Sequence, residues 1–276
     1  MKAQMRESKS RHGKVVSPAA WLEARKAFLK KEKEFTRLRD ELSRERMALP
    51  WEKVERNYVF DGPRGKVSLA ELFDGRSQLM IYHFMFGPEW QEGCPSCSFF
   101  ADHVDGALPH LKQRDVTFAA VSRAPIGKIA EFKKRMGWGF NWVSSYGTEF
   151  NRDYHVSFTK EEMARGDVYY NYERGGFPSE EGPGTSVFFK DENGDIFHTY
   201  STFARGGDIL IGAYNFLDMA PKGRDEGTLS FSMAWVRHHD RYESGRLADA
   251  DRPYWPAVSR ETTAGTKHDC CAGETK

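Results

Sequence analysis

The tetrapeptide Cys94-Pro95-Ser96-Cys97, set between an apolar run and a helical pattern, constrains this chain more than any other feature. Upstream, residues 78–86 (QLMIYHFMF) are almost continuously apolar, as expected of a strand buried on both faces. Residues 87–93 read as a loop. Downstream, Phe99, Phe100, His103, Val104, Leu108 and Leu111 recur at helical spacing. Residues 116–122 (VTFAAVS) form a second buried strand. Pro125 then opens a helix with Ile126, Ile129, Phe132 and Met136 on one side, and residues 140–144 form a short third strand. Strand–helix–strand–helix–strand in this order predicts a parallel sheet with right-handed crossovers.

The flanks are organised differently. Ser17-Pro18 reads as a helix start, with Ser as N-cap and Pro in the first turn. That helix runs through Trp21, Phe28, Phe35 and Leu42, seven residues apart, and stops before Pro50. A narrow apolar stripe among charges such as Lys30, Lys31, Glu32, Lys33 and Glu34 suits packing on the domain or on a second subunit. Residues 58–60 and 66–69, joined by the turn-rich 61–65, predict a hairpin. Residues 158–184 are polar and glycine-rich, with Tyr169, Tyr170 and Tyr172 interleaved, and read as a surface excursion. Residues 185–190 and 195–200 around the turn 191–194 predict an antiparallel hairpin, and 209–217 a closing helix. Beyond Pro221 the chain is polar, ending in a tail from Ala264. The expected organisation is an α/β fold, with a central mixed sheet flanked by helices. A helical extension spans residues 1–50, the main domain 51–220, and an irregular extension with its tail 221–276.

The 41 basic and 40 acidic side chains leave a net charge of +1, so no electrostatic case exists for nucleic acid or an anionic membrane as partner. No apolar run is long enough to span a bilayer, and the polar, basic first residues lack the apolar core of a secretory signal. The expected compartment is the reducing cytoplasm. Four cysteines, Cys94, Cys97, Cys270 and Cys271, are too few for a disulfide scaffold at this length. Close pairs in a reducing compartment point to redox chemistry or metal binding.

A sulfur at a helix start meets unpaired N–H groups and the positive end of the helix dipole, which favour the thiolate. Cys94 should therefore titrate below the free value of about 8.5. Cys97, one turn further on, can attack a mixed disulfide formed at Cys94. Two other readings of the pair are ordinary buried thiols and half of a zinc site, for which Cys270-Cys271 is the available second pair. His83 lies in the core strand as a proton acceptor for Cys97 or as a hydrogen-bonded core residue. Glu89 and Glu92 flank the motif as bases or as loop carboxylates, and Trp90 forms a rim beside Cys94 or covers the core. Arg123 can support a thiolate or take part in an ion pair. His198 is a third metal ligand to test. His238, His239 and Asp240 fall on an expected helix from Leu229, where adjacent residues diverge by about 100° and read as a solvated face. Cys270-Cys271-Ala272-Gly273 is similar to the vicinal pair near the end of mercuric reductases, or is an incidental tail.

Strand–CPSC–helix–strand–helix–hairpin–helix resembles the thioredoxin fold. Residues 67–73 (VSLAELF) and 120–122 followed by 128–136 look like the peroxiredoxin branch. More narrowly, residues 82–90 (YHFMFGPEW), 93–98 and 120–147 are similar to the DUF899 family, bacterial proteins regarded as predicted dithiol–disulfide oxidoreductases. The resemblance implies Cys94 as nucleophile and Cys97 as resolving cysteine. Its partners would be a protein or small-molecule disulfide and an unidentified thiol donor, with no cofactor and no metal; the apolar stripe of the first helix, independently, suits a homodimer. Two departures bear on activity. The proline that thioredoxins hold in cis beside the cysteines aligns with Gly184, with Pro183 one residue earlier. The peroxiredoxin threonine three residues before the reactive cysteine is Gln91 here, which disfavours thiol peroxidase activity of the peroxiredoxin type, the alternative to dithiol exchange.

Overall fold

The computed structural model describes residues 13–252 and residue 254, so Cys270 and Cys271 lie outside the described residues. Helix α1 (Pro18–Met47) starts where Ser17 accepts a hydrogen bond from the Ala20 N–H, as its sequence signal requires. No residue of α1 is buried, and the helix stands clear of the domain except at its end, where Arg46 lies over the Tyr200 ring.

The domain is laid down as β1 (Glu52–Lys53), β2 (Val59–Gly62), β3 (Gly65–Ser68), α2 (Leu69–Leu72), β4 (Gln78–His83), α3 (Pro95–Ala101), α4 (Leu108–Gln113), β5 (Val116–Ser122), α5 (Ile126–Met136) and β6 (Asn141–Ser144). There follow α6 (Phe150–Asp153), α7 (Lys160–Arg165), a separate hairpin of β7 (Val168–Tyr170) and β8 (Glu173–Gly175), then β9 (Gly184–Lys190), β10 (Ile196–Phe203) and α8 (Gly212–Met219). The main sheet has the order β1-β10-β9-β4-β5-β6-β2-β3. β4, β5 and β6 are parallel, while β9 joins β4 antiparallel and pairs Gly184 with His83. Parallel β–α–β units followed by an antiparallel hairpin on the far side of the first strand is the thioredoxin-like arrangement, built on a mixed α/β sheet.

Strand alternation divides the interior in two. Tyr82, Phe84, Phe118, Ala120 and Trp142 face one cluster, which also holds Cys94, Cys97, Phe99, Phe100 and Phe132. Leu79, Ile81, Ala119, Val121 and Val143 face the other, with Phe60, Leu72, Phe150 and Phe188. Each fully buried aromatic contributes about 2–3 kcal/mol of burial free energy, so both layers hold the sheet firmly.

Two expected elements differ. The helix expected to run from the cysteines through Leu111 ends at Ala101, and a 3-10 turn at Asp105–Ala107 separates it from α4. Asp102 and Asp105 there accept hydrogen bonds from Trp138 and from the Gly139 and Phe140 N–H groups, which fixes the break. The helix expected from Leu229 is replaced by turns with a 3-10 segment at His239–Arg241. Met233, Trp235 and Val236 of this stretch pack into the cysteine-side cluster, with Val236 fully enclosed.

Candidate active site

Cys94 is the N-cap of α3, and its N–H donates to the Met85 carbonyl at 3.0 Å, tying the motif to the end of β4. The loop before it is fixed from several sides. Lys128 donates to the carbonyls of Pro88 (2.8 Å) and Trp90 (3.3 Å), and the Trp90 indole donates to Glu180 at 3.1 Å. Gly93 is required by close approach: a Cβ there would lie 2.6 Å from the Phe84 ring and 2.7 Å from the Phe132 ring.

The two sulfurs face each other and are held unequally. Cys94 is 7% exposed and Cys97 1%. The Cys97 thiol donates to Cys94 and is the largest influence drawing its pKa below the ordinary thiol value. Burial opposes this, and the N–H groups of Cys97 and Ser96 with the Ser96 hydroxyl reinforce it. Cys97 is pushed well above the ordinary value, first by burial and then by its bond and proximity to Cys94. The Tyr82 hydroxyl and the Met85 backbone act the other way on Cys97. Tyr82 is positioned by β4, with its ring stacked on Phe100 of α3 at a centroid distance of 3.9 Å.

His83 does not join the cysteines. One residue beyond Tyr82, it faces the opposite cluster against Phe150 and Tyr154, so of its two readings strand parity leaves the hydrogen-bonded core residue and not the proton acceptor for Cys97. Its Nε2 hydrogen-bonds Ser186 at 2.8 Å, Ser186 bonds Ser201, and Ser201 bonds His198. Burial lowers the His83 pKa to about 3. His198 also sits on that side, against Phe188 and Tyr154, and cannot complete a site with the cysteines. Among the described residues no three His, Cys, Asp or Glu side chains converge to hold a metal.

The charged candidates are engaged elsewhere. Arg123 donates to Glu181 at 2.6 Å, and Ser157 donates to the other Glu181 oxygen at 2.5 Å. Glu92 pairs with Arg135 at 2.8 Å and with Arg241, and Glu89 is exposed. No cis peptide occurs among the described residues, so Pro183 is trans, and its carbonyl accepts from Tyr170 at 2.7 Å. Gly184 fits where a Cβ would meet the Phe203 ring at 2.6 Å.

Sequence reading missed His238. Expected on a solvated face, it is fully buried, and its Nε2–H donates to the Gly93 carbonyl at 2.9 Å while Tyr254 donates to Nδ1. Asp240 and Arg241 pair with Arg135 and Glu92, so the chain after α8 clasps the loop that precedes Cys94. No local pattern reports a contact across 145 residues.

A family model described as a bacterial protein of unknown function (DUF899) matches residues 10–242. No curated protein matches the sequence. Among solved structures, peroxidoxin BcpB from Mycobacterium tuberculosis is similar with a TM-score of 0.41 and 12% identity, over 59% of this chain and 94% of that one. A PrxQ mutant from Xylella fastidiosa gives 0.39 and 13%, over 60% and 94%. A protein described as a candidate thiol:disulfide interchange protein DsbE, from Chlorobium tepidum, gives 0.36 and 14%, over 59% and 93%.

Proposed function

This chain belongs to the DUF899 family, and we propose that its activity is thiol–disulfide exchange, with Cys94 as nucleophile and Cys97 as resolving thiol. The observation that carries the reading is the opposed setting of the two sulfurs. The more exposed one is held toward the thiolate by the Cys97 thiol first and by N–H donors after it, and the enclosed one keeps its proton. The Cys94 thiolate attacks one sulfur of a substrate disulfide, forming a mixed disulfide and releasing a thiolate. Cys97 gives its proton to that departing thiolate and attacks the Cys94 sulfur, releasing the second substrate sulfur as a thiolate that takes its proton from water, and leaving a Cys94–Cys97 disulfide. Both substrate sulfurs are reduced by the two electrons of the dithiol, and an external thiol donor restores it. The Tyr82 hydroxyl faces Cys97 and donates to its sulfur as negative charge develops there.

A second reading, peroxide reduction, is favoured by one feature. The Ser96 hydroxyl lies against Cys94 and supplies the hydroxyl that Gln91 does not have. There the Cys94 thiolate takes one peroxide oxygen to become a sulfenic acid while the other oxygen leaves as hydroxide, and Cys97 condenses with the sulfenic acid to a disulfide and water. Reduction of insulin or glutathione disulfide, and of hydrogen peroxide, by the reduced protein separates the two. Disulfide reduction lost in Cys94→Ser, with a trapped mixed disulfide in Cys97→Ser, supports exchange. Equal slow rates in all three proteins remove it, and fast peroxide consumption with little disulfide reduction favours the second reading.

A further inference from the structure

A 30-residue helix with no buried residue is an incomplete structure, because an isolated helix in water gains little from propensity alone. In α1 the side chains Trp21, Phe28, Phe35, Leu38 and Leu42 are 53–65% exposed. Four of them repeat at intervals of seven, the period of a helix that supercoils with another helix. With Trp21, Phe28, Phe35 and Leu42 at the a positions of a heptad, the d positions are Ala24, Lys31, Leu38 and Glu45. The seam is therefore carried by the a residues, with the Lys31 stem lying along it.

We propose that this face is covered by the same helix of a second copy, in a parallel, in-register coiled coil. The charges beside the seam select that occupant and that direction. The preceding g positions carry Glu34 and Glu41, and the e positions five residues later carry Arg39 and Arg46. A parallel pair sets each g residue against the partner's e residue, so Glu34 meets Arg39 and Glu41 meets Arg46, twice over by symmetry. An antiparallel pair sets g against g and e against e, placing Glu beside Glu and Arg beside Arg. Within the chain, α1 uses other charges for its own ion pairs, Arg25 with Glu32 and Lys26 with Glu23. Glu34, Arg39 and Glu41 have no ion-pair partner among the described residues. Arg46 stacks on Tyr200, which leaves the edge of its planar guanidinium open to a carboxylate. Each domain would then follow the C-terminal end of its paired helix.

The test is sedimentation velocity of the full chain at micromolar concentrations. Twice the chain mass is expected for the natural sequence. Phe28→Glu with Phe35→Glu should give monomers whose near-ultraviolet dichroism is unchanged, since neither side chain enters the domain. Glu34→Arg with Glu41→Arg should weaken self-association roughly tenfold or more, and adding Arg39→Glu and Arg46→Glu in the same chain should restore it. Leu42→Cys should form an oxidised covalent dimer that the natural sequence does not form, because the parallel register brings the two positions together. A monomer at all concentrations, or a dimer indifferent to the Phe changes, overturns the surface. A dimer indifferent to the charge reversals, or one without the Leu42→Cys cross-link, overturns the parallel arrangement.

Discussion

Tyr82 and His83 are neighbours on one strand, yet they serve opposite halves of the molecule. Tyr82 turns toward two thiols whose protonation is divided between them, one drawn down by the bond from its partner thiol and by N–H donors, and one pushed up by burial. His83 turns into a closed polar ladder, Ser186–Ser201–His198, where burial holds the imidazole neutral and its Nδ1 finds no partner. Both layers are equally well packed. What separates them is the supply of directed donors: on the cysteine side the Cys97 thiol and backbone N–H groups are aimed at one sulfur, and on the histidine side a hydroxyl engages one nitrogen of a neutral ring. Packing alone does not make a reactive site.

The largest expected effect breaks the comparison outright. Cys94→Ser should lower disulfide reduction by about a thousandfold or more, whereas His83→Gln should leave it within about twofold. Assays of both variants at one pH decide this, and a large loss in His83→Gln would join the two faces in one mechanism. Next is Gly93→Ala, whose new methyl meets two aromatic rings. It should cost about 1–3 kcal/mol in urea unfolding and slow alkylation of Cys94, because the loop can relieve the clash only by moving.

His83 sharpens the comparison through pH. Its folded pKa of about 3 lies below the unfolded value near 6.5, so the unfolded chain binds a proton that the folded chain refuses between those limits. The His83 contribution is therefore fully present above pH 6.5 and is lost as pH falls toward 3. His83→Gln should flatten that part of the stability profile. Glu181, raised by burial to about 7, gives the reverse slope between about 4.5 and 7, and subtracting the two profiles removes it. Parallel profiles would show that His83 already accepts its proton in the folded state. The smallest effect is Tyr82→Phe, expected to slow the resolving step about tenfold or less while leaving the first attack unchanged, as read by mixed-disulfide decay. Loss of both steps together would assign Tyr82 to packing.

Much of this was legible because local rules agree with the fold. Ser17 and Pro18 mark the start of α1, the VTFAAVS strand has the bounds of β5, and the hairpin turn at 191–194 joins β9 to β10. The parity of His83 was not legible. In a run as apolar as QLMIYHFMF, both faces are buried and the alternation that assigns sides is absent. The expected surface excursion conceals buried Val168 and Glu181, because Glu181 reads as a surface charge and its partners Arg123 and Ser157 come from distant stretches of the chain. The clasp by His238, Asp240 and Arg241 was hidden for a different reason: its partners Gly93, Arg135 and Glu92 lie far away along the chain, and only the folded sheet brings them together.

The most direct test is the rate of alkylation at each cysteine, followed by mass spectrometry of the reduced protein across pH. Cys94 should react with a midpoint below the free-thiol value of about 8.5, and Cys97 should stay unreactive well above it. Two cysteines that titrate together near the free-thiol value would contradict the division of protonation on which the proposed chemistry depends.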